Sequence, residues 1–167
     1  MATAEELRTA FAGAAETMAD AIGDASGIWG EHVLSPEAEE VNPRATGDAW
    51  TPQQAVEHAV GSVAFFRGLI DEAMEQESEQ PERAPFPSTA EAAAGLSAAI
   101  ELTTSTLRGV EDADLKRPAG LPDISVSYLE TRGIQTTATV EGVMHILAAH
   151  LADHAAQIRR APSGIGA

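Results

Sequence analysis

TATVEGVMHILAAHLADHAAQIRR, residues Thr137 to Arg160, is the stretch that decides the fold. Its apolar residues recur every three or four positions, which predicts one amphipathic helix. His150 and His154 fall within the same apolar stripe. At about 100° per residue the two differ by only about 40° around the helix axis, so both imidazoles should point into the core. Two inward rings on successive turns need either separate hydrogen-bond partners or a shared cation, and the pair alone leaves both interpretations open.

Three earlier segments show the same periodicity and begin with recognisable caps. The predicted helices run from about Thr3 to Ala21 or Ile22, from Thr51 to about Gln76, and from about Thr89 to Val110. Their N-terminal patterns are Thr3 with Glu6, Thr51-Pro52-Gln53-Gln54, and Ser88 with Glu91. Each supplies a side-chain oxygen to the free N–H groups of a first helical turn.

Long irregular connections separate these helices, at residues 24–49, at the proline-rich linker 77–87 and at residues 111–138. Within the last connection, the stretch from Ile124 to Arg132 alternates weakly, which predicts a short extended piece. Four amphipathic helices predict an all-α four-helix bundle with long helix 1–2 and helix 3–4 connections. A length of 167 residues fits a single domain over residues 1–167.

The composition excludes several functional classes. The net charge of −16, with 26 acidic residues, disfavours nucleic acid and anionic membranes as partners. The sequence has no run of 18 apolar residues and no signal-peptide pattern, so we expect a cytoplasmic protein. Because the chain has no cysteine, a metal would be held by nitrogen and oxygen ligands, and any thiol chemistry would use an external thiol.

His58 is the third histidine that the helical pattern turns inward, near the start of the second helix. Three buried rings without a common ligand would each need a hydrogen-bond partner, and an unpaired buried polar group costs about 1–3 kcal/mol. One divalent cation would satisfy all three, and three protein ligands with one open position are typical of catalytic metal sites. His32 and His145 are predicted to face solvent instead.

The sequence offers no clear general base. Glu57 and Asp153 adjoin two of the histidines, but the helical wheel turns both outward, which predicts solvated surface carboxylates. Ser62 lies one turn from His58 on the same face, and the pattern leaves open whether it contacts the site or only packs. Trp50 is predicted to pack beside the start of the second helix.

The pattern WTPQQAVEHAVGSVAFF, Trp50 to Phe66, followed by HLADHAAQI, His150 to Ile158, resembles the DinB/YfiT-like family of four-helix-bundle proteins. Its members carry one histidine early in the second helix and H-x-x-x-H in the last. The resemblance implies that His58, His150 and His154 are metal ligands and that the protein forms a homodimer. The family's name comes from DNA-damage induction and implies no DNA binding.

Relatives in this family include metal-dependent S-transferases that use low-molecular-weight thiols, and mycothiol-dependent maleylpyruvate isomerases. The isomerases have glutamate where this chain has His150, so the departure argues against isomerase activity. The resemblance therefore implies a metalloenzyme acting on a small-molecule substrate, with Zn, Ni or Fe as the ion and with thiol transfer or hydrolysis as the reaction. A non-catalytic metal-binding or vestigial-site bundle, and a binding protein for an apolar ligand, are the alternatives.

Overall fold

A computed structural model describes residues 2–34, 49–79 and 85–161 of the chain. Within these ranges the chain forms five α-helices and no extended strand, in addition to single 3-10 turns at Ser26–Ile28 and Asp112–Asp114. The helices are α1 (Ala4–Asp24), α2 (Pro52–Ala73), α3 (Thr89–Arg108), α4 (Asp123–Thr131) and α5 (Val140–Arg159). The predicted all-α bundle is confirmed. Parts of the predicted connections and tail, at 35–48, 80–84 and 162–167, lie outside the described residues.

The four long helices form a closed ring of contacts around the core. Helix α5 packs against α1 and α2, and α3 packs against the same two helices. The core is built from alanines and aliphatic side chains of all four, including the fully buried Met18, Ile70, Leu96 and Leu147. Small alanine side chains let helix backbones approach closely, and α2 therefore lies directly against α5.

The start of α2 fixes the position of everything that follows on that helix. Thr51 Oγ1 accepts a hydrogen bond from the Gln54 N–H at 3.0 Å, and Gln54 Oε1 accepts one from the Thr51 N–H at 2.9 Å. Pro52 occupies the first helical position, where no intrahelical N–H bond is needed. This predicted capping box sets the register that carries His58 two turns into the bundle.

The weak alternation from Ile124 to Arg132 predicted a short extended piece, and this prediction is wrong because the stretch is mostly helical. Nearly all of it belongs to α4, whose buried residues Ser125 and Leu129 are four positions apart. Only one narrow stripe of this short helix is buried, so its hydrophobic signal is too weak to show the helical period. Helix α4 packs on α5 and covers one side of the bundle.

Two anchors hold the connections to the bundle. The Leu34 N–H donates to the Trp50 carbonyl oxygen at 3.0 Å, and the two residues form an isolated antiparallel bridge. The Trp29 indole N–H donates to the Phe86 carbonyl oxygen at 2.9 Å. Trp29 and Leu34 are both buried, so they anchor the first connection to the core. Along the ranges that the structure covers, no helix has the length and apolar character needed to cross a bilayer.

Candidate metal centre

Helices α2 and α5 bring the three predicted histidines together. His58 comes from α2, and His150 and His154 come from successive turns of α5. The ring centroids of His58 lie 5.1 Å from those of His150 and His154, and the two α5 rings are 4.5 Å apart. One nitrogen from each ring lies within 4.8 Å of the other two. Their convergence is observed, whereas their role as metal ligands stays a prediction.

The spacing of these nitrogens is close to what one ion requires. Two nitrogens that bind one zinc ion at about 2.0–2.1 Å each lie at most about 4.2 Å apart. The Nε2 atoms of His150 and His154 are already 3.1 Å apart. Small inward movements of the His58 ring would therefore complete a three-nitrogen site.

Burial keeps the three imidazoles neutral, which is the form that binds metal. His150 and His154 are each 3% exposed, and His58 is half-buried. Loss of hydration lowers the pKa of His58, lowers that of His150 well below 6.5, and lowers that of His154 to about 4. Charge on the neighbouring rings lowers the pKa of His150 and His154 further, because two imidazolium ions repel each other.

The hydrogen bonds of the cluster are incomplete without a further partner. His154 Nδ1 donates to Gln157 Oε1 at 2.9 Å, which leaves His154 Nε2 as an acceptor, 3.1 Å from His150 Nε2. Among the described residues, buried His58 Nε2 and buried His150 Nδ1 have no hydrogen-bond partner. A buried imidazole nitrogen without a hydrogen-bond partner can serve as a metal ligand, so the residues fit a divalent cation.

Trp50 closes one side of the cluster. Its indole is parallel to the His154 ring, with 7° between the planes and 6.3 Å between the centroids, and its edge meets His58 at 5.5 Å. The residue does pack beside the start of α2, as predicted, and it also shields the histidines from solvent. A low-dielectric wall of this kind strengthens electrostatic interactions inside the site.

A cavity opens on the other side of the cluster. The centres of water molecules can occupy a volume of about 50 Å³ in this cavity. One water needs roughly 10–15 Å³ of such volume, so the cavity has room for a few atoms. Three helices line it, with His58, Ser62 and Phe66 from α2, Ile124, Ser125 and Tyr128 from α4, and Ile146 and His150 from α5. Ser62 therefore lines the cavity beside the cluster, which answers the question that the sequence left open. Because His58 and His150 line this cavity, a fourth ligand of an ion held by the triad would enter from here.

Glu57 and Asp153, the two carboxylates beside the histidines, were predicted to be solvated at the surface. This prediction is wrong, because each binds a partner from another element. Asp153 is half-buried and contacts the Tyr128 hydroxyl and the Arg132 guanidinium. Burial raises the pKa of Asp153 to about 6, and the charge of Arg160 opposes this shift. Glu57 Oε1 accepts hydrogen bonds from the Phe86 N–H at 2.8 Å and from Gln53 Nε2 at 3.1 Å. Both carboxylates hold a neighbouring segment in place rather than facing bulk water.

The other two histidines lie outside the cluster. His32 is exposed, and its Nδ1 lies 2.8 Å from the Ala49 carbonyl oxygen. His145 is half-buried rather than fully exposed, and its Nε2 lies 3.7 Å from Glu141 Oε1 on the same helix. Tyr128 and Gln157 were missed as site residues. Only the position of Gln157, three residues after His154 on one helical face, could have indicated its contact.

Comparison with known proteins gives one family. The sequence-family model of the DinB superfamily matches residues 2–158 of the chain. This range includes all three clustered histidines. The comparison with curated proteins and the comparison with solved structures gave no match.

Proposed function

Because this chain belongs to the DinB superfamily, we propose that His58, His150 and His154 bind one divalent metal ion in an enzyme that uses an external low-molecular-weight thiol. The convergence of three neutral ring nitrogens within 4.8 Å carries the proposal. Zn, Ni and Fe ions all accept imidazole nitrogen, so any of the three suits this ligand set. When bound, such an ion lowers the pKa of a thiol or water that occupies its open position.

Thiol transfer suits the cavity better than hydrolysis. Among the described residues, no carboxylate lines the cavity, so no general base stands ready to take a proton from water. A thiol ionises far more easily than water and needs no such base. The side chains of the cavity would orient the few atoms around the reacting sulfur, and Trp50 would cover His58 and His154. Hydrolysis and metal binding without catalysis are the rival functions.

The remaining expectations are also proposals. They are a homodimer, a small-molecule substrate, a cytoplasmic location and a single domain over residues 1–167. A homodimer would give twice the chain mass of 17.4 kDa in sedimentation equilibrium.

Metal content tests the ligand assignment. Wild-type protein should retain about one equivalent of Zn, Ni or Fe after gel filtration, whereas His58→Ala, His150→Ala and His154→Ala should each retain less than a tenth of that amount. His145→Ala is the matched control, since it removes a histidine of the same helix that lies outside the cluster. Elemental analysis of folded protein, checked by circular dichroism, gives the readout. Equal metal content in wild type and the triad variants would exclude this site.

Thiol turnover tests the reaction. Metal-loaded protein should consume bacillithiol, mycothiol, glutathione or coenzyme A in the presence of a general electrophile, and His150→Ala should lose this activity. Since the chain has no cysteine, the protein itself contributes no thiol to the assay. A metal-loaded protein that turns over none of these thiols would favour the non-catalytic alternative, and hydrolysis of an activated ester without thiol would favour a hydrolase.

A further inference from the structure

Two serines line the cavity from different helices. Ser62 is on α2 and Ser125 is on α4, and both line the space beside His58 and His150. Ser125 as a whole residue is only 8% exposed, and Ser62 is half-buried. A hydroxyl in such a position normally has a hydrogen-bond partner.

Neither hydroxyl has a partner in the part of the chain that the structure describes. Elsewhere in the bundle, Thr17 and Thr103 donate to the carbonyl oxygens of Gly13 and Ala99, four residues earlier, at 2.9 and 2.7 Å. Ser62 and Ser125 make no such bond, although each lies in a helix. Their donors are therefore available to a molecule that enters the cavity.

The cavity wall is otherwise free of charge. Its lining contains no aspartate, glutamate, lysine or arginine among the described residues. Asp153 and Arg132, the charges close behind Tyr128, contact each other. A hydroxyl pair in an apolar wall matches an uncharged oxygen better than a phosphate or carboxylate, which would call for an arginine or lysine.

We propose that Ser125 and Ser62 together form a subsite that donates hydrogen bonds to an uncharged oxygen of the substrate. The chemical class is a compact group carrying a hydroxyl, carbonyl or epoxide oxygen, since the cavity admits only a few atoms. The subsite deepens the proposed function and rests on it, because the same cavity leads to the metal position.

Two thiols that differ at one atom test the subsite. 2-Mercaptoethanol and 1-propanethiol have the same number of heavy atoms, but only the first carries an oxygen. The full chain is loaded with cobalt(II), and each thiol is titrated while the sulfur-to-cobalt charge-transfer absorption is followed. Any such absorption comes from the added thiol, because the chain has no cysteine.

Wild-type protein should bind 2-mercaptoethanol more tightly than 1-propanethiol. Ser125→Ala should weaken 2-mercaptoethanol binding by about three- to tenfold, the range of one neutral hydrogen bond, and leave 1-propanethiol binding unchanged. Ser62→Ala should act in the same direction. Ser127→Ala is the matched control, because Ser127 is exposed on the same short helix, and it should change neither affinity.

Each failure points to a different conclusion. Equal affinities of the two thiols for wild type, or an equal loss of both in Ser125→Ala and Ser62→Ala, would overturn the subsite while leaving the metal site intact. Failure of wild type to take up cobalt would overturn the proposed metal site before any thiol is added. Cobalt uptake with no absorption from either thiol would overturn both the thiol function and the subsite.

Discussion

Gln157 lies three residues after His154 on α5, and both side chains are buried in the bundle. Because Gln157 Oε1 can only accept, the 2.9 Å contact places the proton of the neutral ring on His154 Nδ1. The Nε2 atom, which faces His150, is then the unprotonated nitrogen. His150 has no equivalent partner on its Nδ1 among the described residues, so only one ring of the α5 pair is oriented in this way.

Gln157→Leu should therefore weaken metal binding by about 10- to 100-fold, the usual effect of losing a partner that orients a ligand histidine. Gln157→Glu should retain or strengthen binding, because a carboxylate also accepts from Nδ1 and increases the basicity of the ring. Competition with a chelator of known affinity measures both. A Gln157→Leu protein that is folded and binds metal like wild type would show that the contact does not matter for the site.

The neutral histidines also predict how the metal-free protein responds to acid. In the folded protein the pKa of each of these histidines lies below its ordinary value of 6.5. At a pH between the folded pKa and 6.5, the unfolded chain therefore binds more protons than the folded protein. The free energy of unfolding is therefore not reduced by these histidines above about pH 6.5, and it decreases as the pH falls toward the folded pKa. In EDTA, the free energy of unfolding should drop by on the order of 1–3 kcal/mol between about pH 7 and pH 5.

The control for this titration is His154→Leu, which should reduce that pH dependence. Asp153 works in the opposite direction, since its folded pKa is raised to about 6 and its protonation favours the folded state. Urea unfolding of both proteins at several pH values separates the two effects. An equal change in stability with pH in wild type and His154→Leu would contradict the assignment of a neutral His154, because Asp153 contributes to both proteins.

At the scale of secondary structure, the first turn of α5 lies against the connection that precedes it. A Cβ atom added to Gly142 would lie 2.4 Å from the Thr137 carbonyl oxygen and 3.1 Å from Leu121 Cδ2. The Val140 and Glu141 N–H groups also donate to carbonyl oxygens of the same connection, those of Arg117 and Leu115. The absence of a side chain at residue 142 is what allows this close approach.

Gly142→Ala should destabilise the protein by about 1–3 kcal/mol, because backbone atoms would have to move. Gly13→Ala is the matched control in α1, where a Cβ atom would meet nothing within 4 Å. It should stabilise the protein by about 0.5–1 kcal/mol through the better helix propensity of alanine. Thermal unfolding measures both, and equal stabilisation by the two substitutions would contradict the close contact at α5.

Helices with wide buried faces and clear caps were predictable from the sequence, and the short covering helix was not. Thr3, Thr51 and Ser88 mark starts that the structure reproduces, because a cap depends only on residues a few positions away. That His58, His150 and His154 face inward was predictable from the helical pattern, whereas the expectation that they meet at one point rested also on the resemblance to the DinB/YfiT-like family. The partners of Glu57 and Asp153 come from distant segments, which no local pattern can identify. The three residues of α2 beyond Ala73 that were predicted to be helical lie outside it, and Glu75 has a positive φ of 57°.

At the scale of the whole molecule, the net charge of −16 acts on a chain of 167 residues. Of the described ion pairs, Arg67 with Asp71 is the one with both side chains about 95% buried, so most of the acidic charge lies at the surface. Repulsion among surface carboxylates destabilises a compact fold, and dissolved salt screens it.

The melting temperature should therefore rise by several degrees as NaCl increases from about 0.02 M to about 0.3 M, where the Debye length falls below about 10 Å. Most of the increase should come within this range, because screening is then nearly complete. KCl should give the same curve, since screening depends on ionic strength and not on the cation. Scanning calorimetry makes the measurement, and a melting temperature that falls or stays constant would contradict the importance of surface repulsion.

The Leu34–Trp50 bridge fixes the backbone one residue before the cap of α2, through a hydrogen bond of 3.0 Å. The indole on that backbone packs against the rings of His58 and His154. The fluorescence of Trp50 can therefore serve as an intrinsic optical reporter of events at these two rings.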